Sequence, residues 1–240
     1  DQFELFSEEN APAFSVYRGA TVENIPKTPE QLAQIPEGAR PAEISYCPPE
    51  RTEYPCHPGL GRHIIDSLIA EGFDVAQSTR LPVGRLGTNS IPHAFGYVYR
   101  KVMRDRVVPH VPILVNTHYP PNRPRAGRCL DFGRAVARSI QSWQSDARVA
   151  VIASGGLSHY VIDEDLDRSF LAAMEKRDMQ WVRTMPEDVF EAGTAEIKNW
   201  IPVFGAAVEA GLNMKLVDYV PCYRTEAGTG NALSFVYWKD

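Results

Sequence analysis

The sequence lacks the features that mark several large classes of protein. No apolar run approaches the roughly 20 residues that a membrane helix needs, and no signal-peptide-like segment opens the chain. The formal net charge is -5, and no stripe of lysine and arginine is present that would neutralise nucleic-acid phosphates. The 4 cysteines form no CxxC pair, which argues against a zinc ribbon or a disulfide framework. We therefore expect a cytoplasmic protein that acts on a small molecule or a protein, with no nucleic-acid or membrane partner.

Strand-like and helix-like segments alternate along the chain. This alternation predicts an α/β fold, a single domain whose central mixed sheet is covered by helices on both faces. Apolar residues at helical spacing predict helices, and continuous or alternating apolar runs predict strands. The predicted helices begin near residues 58, 133, 163 and 194, the last with a bend or first turn at Pro202, and the predicted strands lie just after Gly72 and at 113–115, 148–156, 214–224 and 232–238.

The segment 20–58 is rich in proline, glutamate and threonine. This composition favours extended and turn conformations, so we expect a long excursion with one short helix. Such an excursion is a candidate lid or interface, and a plain surface loop explains it almost as well.

His159 is the first candidate for chemistry. It follows Gly155 and Gly156 in "ASGGLSH", at the end of the apolar run 148–156. Ligands of α/β proteins bind at the carboxyl ends of strands, so His159 is well placed to act. The same residues are equally typical of a turn in which the histidine only forms a hydrogen bond with a neighbouring group.

Three further positions carry polar groups next to apolar elements. Glu196 lies early in an apolar helix, where a carboxylate near the interior needs a cation, although a solvated helix-start glutamate is commoner. Asn116 and His118 lie where a predicted strand ends in a proline-rich loop, and a loop-capping asparagine and a surface histidine would give the same pattern. His93 follows Pro92. None of these positions decides a function by itself.

Taken in order, the motifs resemble a known family. "DQFELF", "IPHAFGY", "NTHYPPN", "SGGLSH", "EIKNW" and the final "EAGTGNALSFVYW" are similar to the class III extradiol ring-cleavage dioxygenases, in the group of the protocatechuate 4,5-dioxygenase beta-subunit and gallate dioxygenase. The resemblance runs over nearly the whole chain. It implies one catalytic domain over residues 1–240, and we expect a further segment upstream of residue 1.

The resemblance implies an Fe(II) site of two histidines and a glutamate, open to substrate and dioxygen. Glu196 matches the carboxylate ligand and His159 the acid–base histidine. Gln2 stands where the family has its second ligand histidine. Three interpretations stay open: Gln2 binds the metal, Glu4 or His118 replaces it, or the site has decayed.

The family's other acid–base histidine has no match, because Leu86 stands there. His118 is the preferred substitute, since it leaves a strand end, and His93 is the alternative and a candidate substrate contact. Thr229 and Asn231, in a glycine-flanked turn, are candidates to bind a ring substituent.

The resemblance therefore implies an Fe(II)-dependent extradiol dioxygenase that inserts both atoms of O2 into a substituted catechol or related diol. It implies a homo-oligomer, with a small second subunit in some members. Two alternatives are cleavage of an aminophenol or hydroxypyridine-type ring, and a metal-poor scaffold or regulatory subunit. The substitutions at Gln2 and Leu86 favour the scaffold, and the presence of both His159 and Glu196 counts against it.

Overall fold

The computed structural model describes residues 11–81 and 89–240. The chain divides into two compact units, one of residues 1–66 and 74–122 and the other of residues 67–73 and 123–240. The mixture of helices and strands confirms the predicted α/β class. The single catalytic domain over residues 1–240 stays a prediction.

The first unit contains a mixed three-stranded sheet. Strand β1 (Phe14–Tyr17) lies in the middle, parallel to β4 (Ala76–Ser78) and antiparallel to β5 (Ile113–Val115). All four residues of β1 are buried, as is usual for a strand between two neighbours. A separate antiparallel pair is formed by β2 (Thr21–Asn24) and β3 (Thr52–Pro55).

Short helices connect these strands. Helix α1 (Pro29–Ala33) starts at a capping box of Thr28 and Gln31, which satisfies backbone donors at the helix start. The others in this unit are a 3-10 turn (Glu37–Ala39), α2 (Arg40–Tyr46), α4 (His93–Tyr97) and a π-helical turn (Val98–Val102). Helix α3 (Pro58–Ala70) continues from the first unit into the second. The proline-rich segment is thus more ordered than predicted, with two short helices and strands β2 and β3.

The second unit combines helices with a second three-stranded sheet. Its helices are α5 (Ala126–Ser142), α6 (Glu164–Glu175), α7 (Met179–Arg183) and α8 (Ile197–Glu209), with 3-10 turns at Glu187–Phe190 and Ala192–Glu196. Strands β7 (Asn213–Tyr223) and β8 (Thr229–Lys239) form a long hairpin, and the short β6 (His159–Val161) pairs with β8.

Helices α5 and α8 approach each other through two glycines. A Cβ at Gly133 would collide with the backbone oxygen of Pro202, and one at Gly205 would collide with that of Leu130. Pro202 lies inside α8, where it has no N–H to donate to the preceding turn. The close packing of α5 on α8 therefore requires glycine, which has no side chain, at positions 133 and 205.

The local predictions were confirmed for most helices and strands. Helices lie at all four predicted places, and strands lie at 76–78, 113–115, 213–223 and 229–239. The predicted strand at 148–156 was wrong: the structure assigns no strand there, and Val149, Val151 and Ile152 are exposed. A strand forms only where a neighbouring strand shares its backbone hydrogen bonds, and the sequence of the segment does not specify that neighbour. Across 11–81 and 89–240, no helix is long and apolar enough to cross a membrane.

We predict that Gly133→Ala destabilises the protein by about 1–3 kcal/mol, because the added methyl group must push α5 away from the Pro202 carbonyl. The free energy of unfolding, measured by urea denaturation, checks this. Gly38→Ala is the matched control, since a Cβ at Gly38 meets no atom within 4 Å. Equal stability of the two variants would contradict the close packing of α5 on α8.

Candidate active site

The candidate site is built around the turn that precedes β6. Its backbone is bonded to β8 on one side, where Leu157 N donates to Ala232 O at 3.0 Å and Ala232 N donates to Ser158 O at 2.8 Å. On the other side the Trp200 indole N–H, from α8, is 3.0 Å from Gly155 O and 3.2 Å from Gly156 O. The turn is therefore held between a strand and a helix.

The His159 ring is oriented by its own turn. Its Nδ1 lies 2.7 Å from the carbonyl oxygen of Leu157. A carbonyl only accepts, so Nδ1 carries the hydrogen and Nε2 of the neutral ring keeps its lone pair. Nε2 lies 3.6 Å from Oε2 of Glu196, and the His159 side chain is 17% exposed. His159 thus presents a proton acceptor beside a carboxylate.

Glu196 ends the 3-10 turn before α8 and reaches back to the glycine turn. Its Oε2 accepts the Gly156 N–H at 2.9 Å. The side chain is 40% exposed, which agrees better with a solvated glutamate at a helix start than with a carboxylate close to the interior. The 3-10 turn places Glu196 at the start of α8, where solvent still reaches the carboxylate.

Two glycines, Gly156 of "SGGLSH" and Gly193, are required by the close packing around His159. A Cβ at Gly156 would collide with Cε1 of the His159 ring and lie 2.8 Å from its Nε2. Gly193, in the 3-10 turn, would place a Cβ 2.5 Å from the His159 carbonyl oxygen. Positions 156 and 193 therefore leave the space that the histidine occupies.

Of the predicted substrate contacts, Asn231 and Thr229 lie on β8 beside β6. Asn231 pairs directly with His159, and Thr229 pairs with Val161. Directly paired residues of an antiparallel sheet share a face, so the Asn231 amide lies on the same side as the His159 ring. The Thr229 hydroxyl is 2.7 Å from that of Thr225, in the β7–β8 turn.

His118 and His93 belong to the first unit, and each has local neighbours. His118 is exposed and stacks edge-on against Tyr119, with ring centres 5.1 Å apart. Asn116 is buried, and its Oδ1 accepts the N–H of Tyr119 at 2.9 Å, as the capping interpretation holds. His93 Nδ1 lies 3.3 Å from a carboxylate oxygen of Glu43.

A buried network beneath the turn was missed in the sequence. Asp167 of α6 is fully buried, accepts both polar hydrogens of Ser158, and accepts the Tyr219 hydroxyl. Burial raises the pKa of the Asp167 carboxyl, and the hydrogen bonds from Ser158 and Tyr219 oppose this rise. Burial and the neighbouring carboxylate also raise the pKa of Tyr219. In the sequence, Asp167 resembles an ordinary helix-start acid, because it lies in the first turn of α6, where acids are favourable.

Lys198, another missed residue, is 2% exposed and lies two positions after Glu196. Its Nζ donates to the Glu187 carboxylate at 2.7 Å and lies 4.8 Å from the Phe190 ring centre. The Glu187 carboxylate also accepts the Ala126 N–H, at 2.8 Å. Lys198 therefore ties the start of α8 to the 3-10 turn Glu187–Phe190 and, through Glu187, to the start of α5.

The predicted metal site falls only partly within the described residues. Gln2, Glu4 and Leu86 lie outside them. Among the residues that are described, no group of three or more His, Cys, Asp and Glu side chains is arranged to hold a metal ion. Of the predicted ligands and their alternatives, Glu196 and His118 lie within the described residues, which is fewer than the three donors of an iron facial triad.

Two comparisons with known proteins bear on this site. A family model described as the catalytic LigB subunit of aromatic ring-opening dioxygenase matches residues 27–224. The chain is also similar to gallate dioxygenase from Pseudomonas putida, with 33% identity over 111 residues. That match covers 45% of this chain and 30% of the relative, so the chain spans well under two thirds of the relative's length.

We predict that Gly156→Ala displaces the His159 ring, because the new methyl group would occupy the position of Cε1. The backbone signals of residues 155–159 should shift in a two-dimensional NMR spectrum, with the rest of the fold kept. Gly59→Ala is the control, since its Cβ would lie 3.5 Å from His57, an ordinary contact. A Gly156→Ala spectrum that matches the unmodified protein around His159 would show that the ring lies elsewhere.

Proposed function

The chain belongs to the family of catalytic LigB subunits of aromatic ring-opening dioxygenases, and from this premise we propose that it cleaves the ring of an aromatic diol by extradiol dioxygenation. The observation that carries the proposal is the approach of His159 Nε2 to within 3.6 Å of the Glu196 carboxylate, whose side chain is 40% exposed. A proton acceptor and an anionic metal ligand are the two groups that this reaction requires side by side.

His159 is proposed as the acid–base residue. The Leu157 carbonyl holds the hydrogen on Nδ1, so Nε2 is left as the acceptor for a diol proton and can return that proton later. The Gly156 N–H holds Oε2 of Glu196, which fixes the carboxylate beside the ring. His118 is the proposed second acid–base residue, and His93 a proposed substrate contact.

Fe(II) is the proposed metal. Glu196 would hold it, with Gln2 as a second donor and any remaining donor from outside the described residues. When bound, Fe(II) would bind both diol oxygens and dioxygen and lower the pKa of the diol. Because the described residues do not complete the donor set, we assign no step of the reaction to the metal.

The proposed substrate is a substituted catechol or pyrogallol of the protocatechuate or gallate type, since the relative from Pseudomonas putida is a gallate dioxygenase. We also propose a cytoplasmic homo-oligomer, with a small second subunit as a candidate partner. The cysteines support a reducing compartment, because they are scattered along the sequence and form no CxxC pair.

Oxygen uptake by the full encoded protein, reconstituted anaerobically with Fe(II), tests the proposal. We expect uptake and a yellow semialdehyde product with at least one of protocatechuate, gallate and 3-O-methylgallate. His159→Ala should lower kcat by about 10²- to 10⁴-fold, the usual contribution of a general acid or base. Glu196→Ala should lose retained iron, and His118→Ala measures the second acid–base role.

The same assay separates the alternatives when a 2-aminophenol and a hydroxypyridine diol are added to the panel. Uptake only with a 2-aminophenol or a hydroxypyridine diol would move the substrate to those rings. No uptake on any compound, together with no retained iron, would overturn the proposal in favour of a metal-free scaffold or regulatory subunit.

For substrate binding, we predict that Asn231→Ala raises KM by about 10-fold with little change in kcat, because one hydrogen bond to a charged group contributes about 1.5 kcal/mol or more. Thr229→Val tests the second proposed contact. Steady-state kinetics on the best diol of the panel decides between them. An unchanged KM in either variant removes that residue from the binding site.

A further inference from the structure

A carboxylate that accepts three hydrogen bonds and has no assigned role lies beneath the site. Asp167 is 0% exposed, and its partners are an amide, a serine and a tyrosine, all uncharged. Burying a carboxylate costs free energy, which hydrogen bonds to uncharged donors offset only in part. Burial also raises the pKa of Asp167, so this position is an unfavourable one for a charge.

Two of the three donors to Asp167 belong to Ser158, the residue before His159. The Ser158 N–H lies 3.0 Å from Oδ1, and its hydroxyl lies 2.7 Å from Oδ2. The Ser158 hydroxyl also accepts the Asp163 N–H at 2.9 Å, at the start of α6. Donors on both oxygens fix the orientation of the carboxylate and, with it, the peptide that leads into His159.

The turn is thus held by two carboxylates at alternate residues. Glu196 accepts the N–H of Gly156, and Asp167 accepts the N–H of Ser158. The carbonyl of Leu157, which orients the His159 ring, belongs to the same peptide group as the Ser158 N–H. Rotation of that peptide would move the carbonyl and release Nδ1.

We propose that Asp167 is a positioning residue for His159: through the N–H and hydroxyl of Ser158 it holds the turn in which Leu157 orients the imidazole. The catalytic part of this inference rests on the proposed function. Asp167 itself touches neither substrate nor metal in this proposal. Its effect passes only through the bonds to Ser158.

The experiment compares three variants of the full protein. Asp167→Ala removes the acceptor of both Ser158 hydrogens. Asp167→Asn is the conservative variant, because its Oδ1 still accepts the N–H and its amide can donate to the Ser158 oxygen. Tyr219→Phe is the matched control, since it removes a hydrogen bond of 2.9 Å to the same carboxylate and leaves both Ser158 bonds intact.

Two readouts are measured. The first is the ring nitrogen spectrum of 15N-histidine-labelled protein without metal or substrate, with the His159 signals assigned by His159→Ala. We expect the Nδ1–H form to predominate in the unmodified protein, Asp167→Asn and Tyr219→Phe, and to lose its predominance in Asp167→Ala. The second readout is the separate measurement of kcat and KM. Asp167→Ala should lower kcat by about 10²-fold and change KM by less than about 2-fold, because a misplaced catalytic group slows the chemical step more than it weakens binding.

The outcomes separate this inference from the proposed function. A ring spectrum that changes in Asp167→Ala alone supports positioning even where no diol is cleaved. A ring spectrum unchanged in a folded Asp167→Ala variant overturns the inference, and so does an equal change in Tyr219→Phe, which would indicate general destabilisation. If Asp167→Ala does not fold, Asp167→Ser replaces it, because it also removes the carboxylate that accepts both Ser158 hydrogens, and an unchanged ring spectrum there overturns the inference equally.

Discussion

The interaction on which the site depends is the hydrogen bond from the Gly156 N–H to the Glu196 carboxylate. It joins the turn before β6 to the start of α8, two elements that are distant in the sequence. The same bond brings the carboxylate within 3.6 Å of His159 Nε2. Both groups that the proposed chemistry needs therefore come together through one backbone donor.

Around this bond, the main chain does most of the positioning. The orientation of His159 comes from the Leu157 carbonyl, and the Trp200 indole and the Ala232 backbone hold the turn on either side. A backbone can approach this closely only where side chains are absent, which is why Gly156 lies beside the ring. The second glycine of the pair, Gly156, is thus a packing requirement of the histidine.

Family membership and site geometry support the same activity by separate routes. The family model covers most of the chain, and the paired imidazole and carboxylate have the chemical character that ring opening requires. The described residues do not supply a full donor set for iron, which is why the metal and its second ligand remain proposals. The alternative, a metal-poor scaffold, explains the glutamine at position 2, but it gives no role to the orientation of His159.

The sequence by itself determined the local elements, because helix periodicity and capping act over a few residues: α5, α6 and α8 lie where apolar spacing predicted them. It also indicated His159 and Glu196, through motifs that resemble a known family. The tertiary structure decided what depends on distant partners. The apolar run at 148–156 forms no strand in the described chain, and Asp167, which resembles an ordinary helix-start acid, is buried against Ser158 and Tyr219. Strand pairing and burial are set by residues far apart in the chain, so no local pattern contains them.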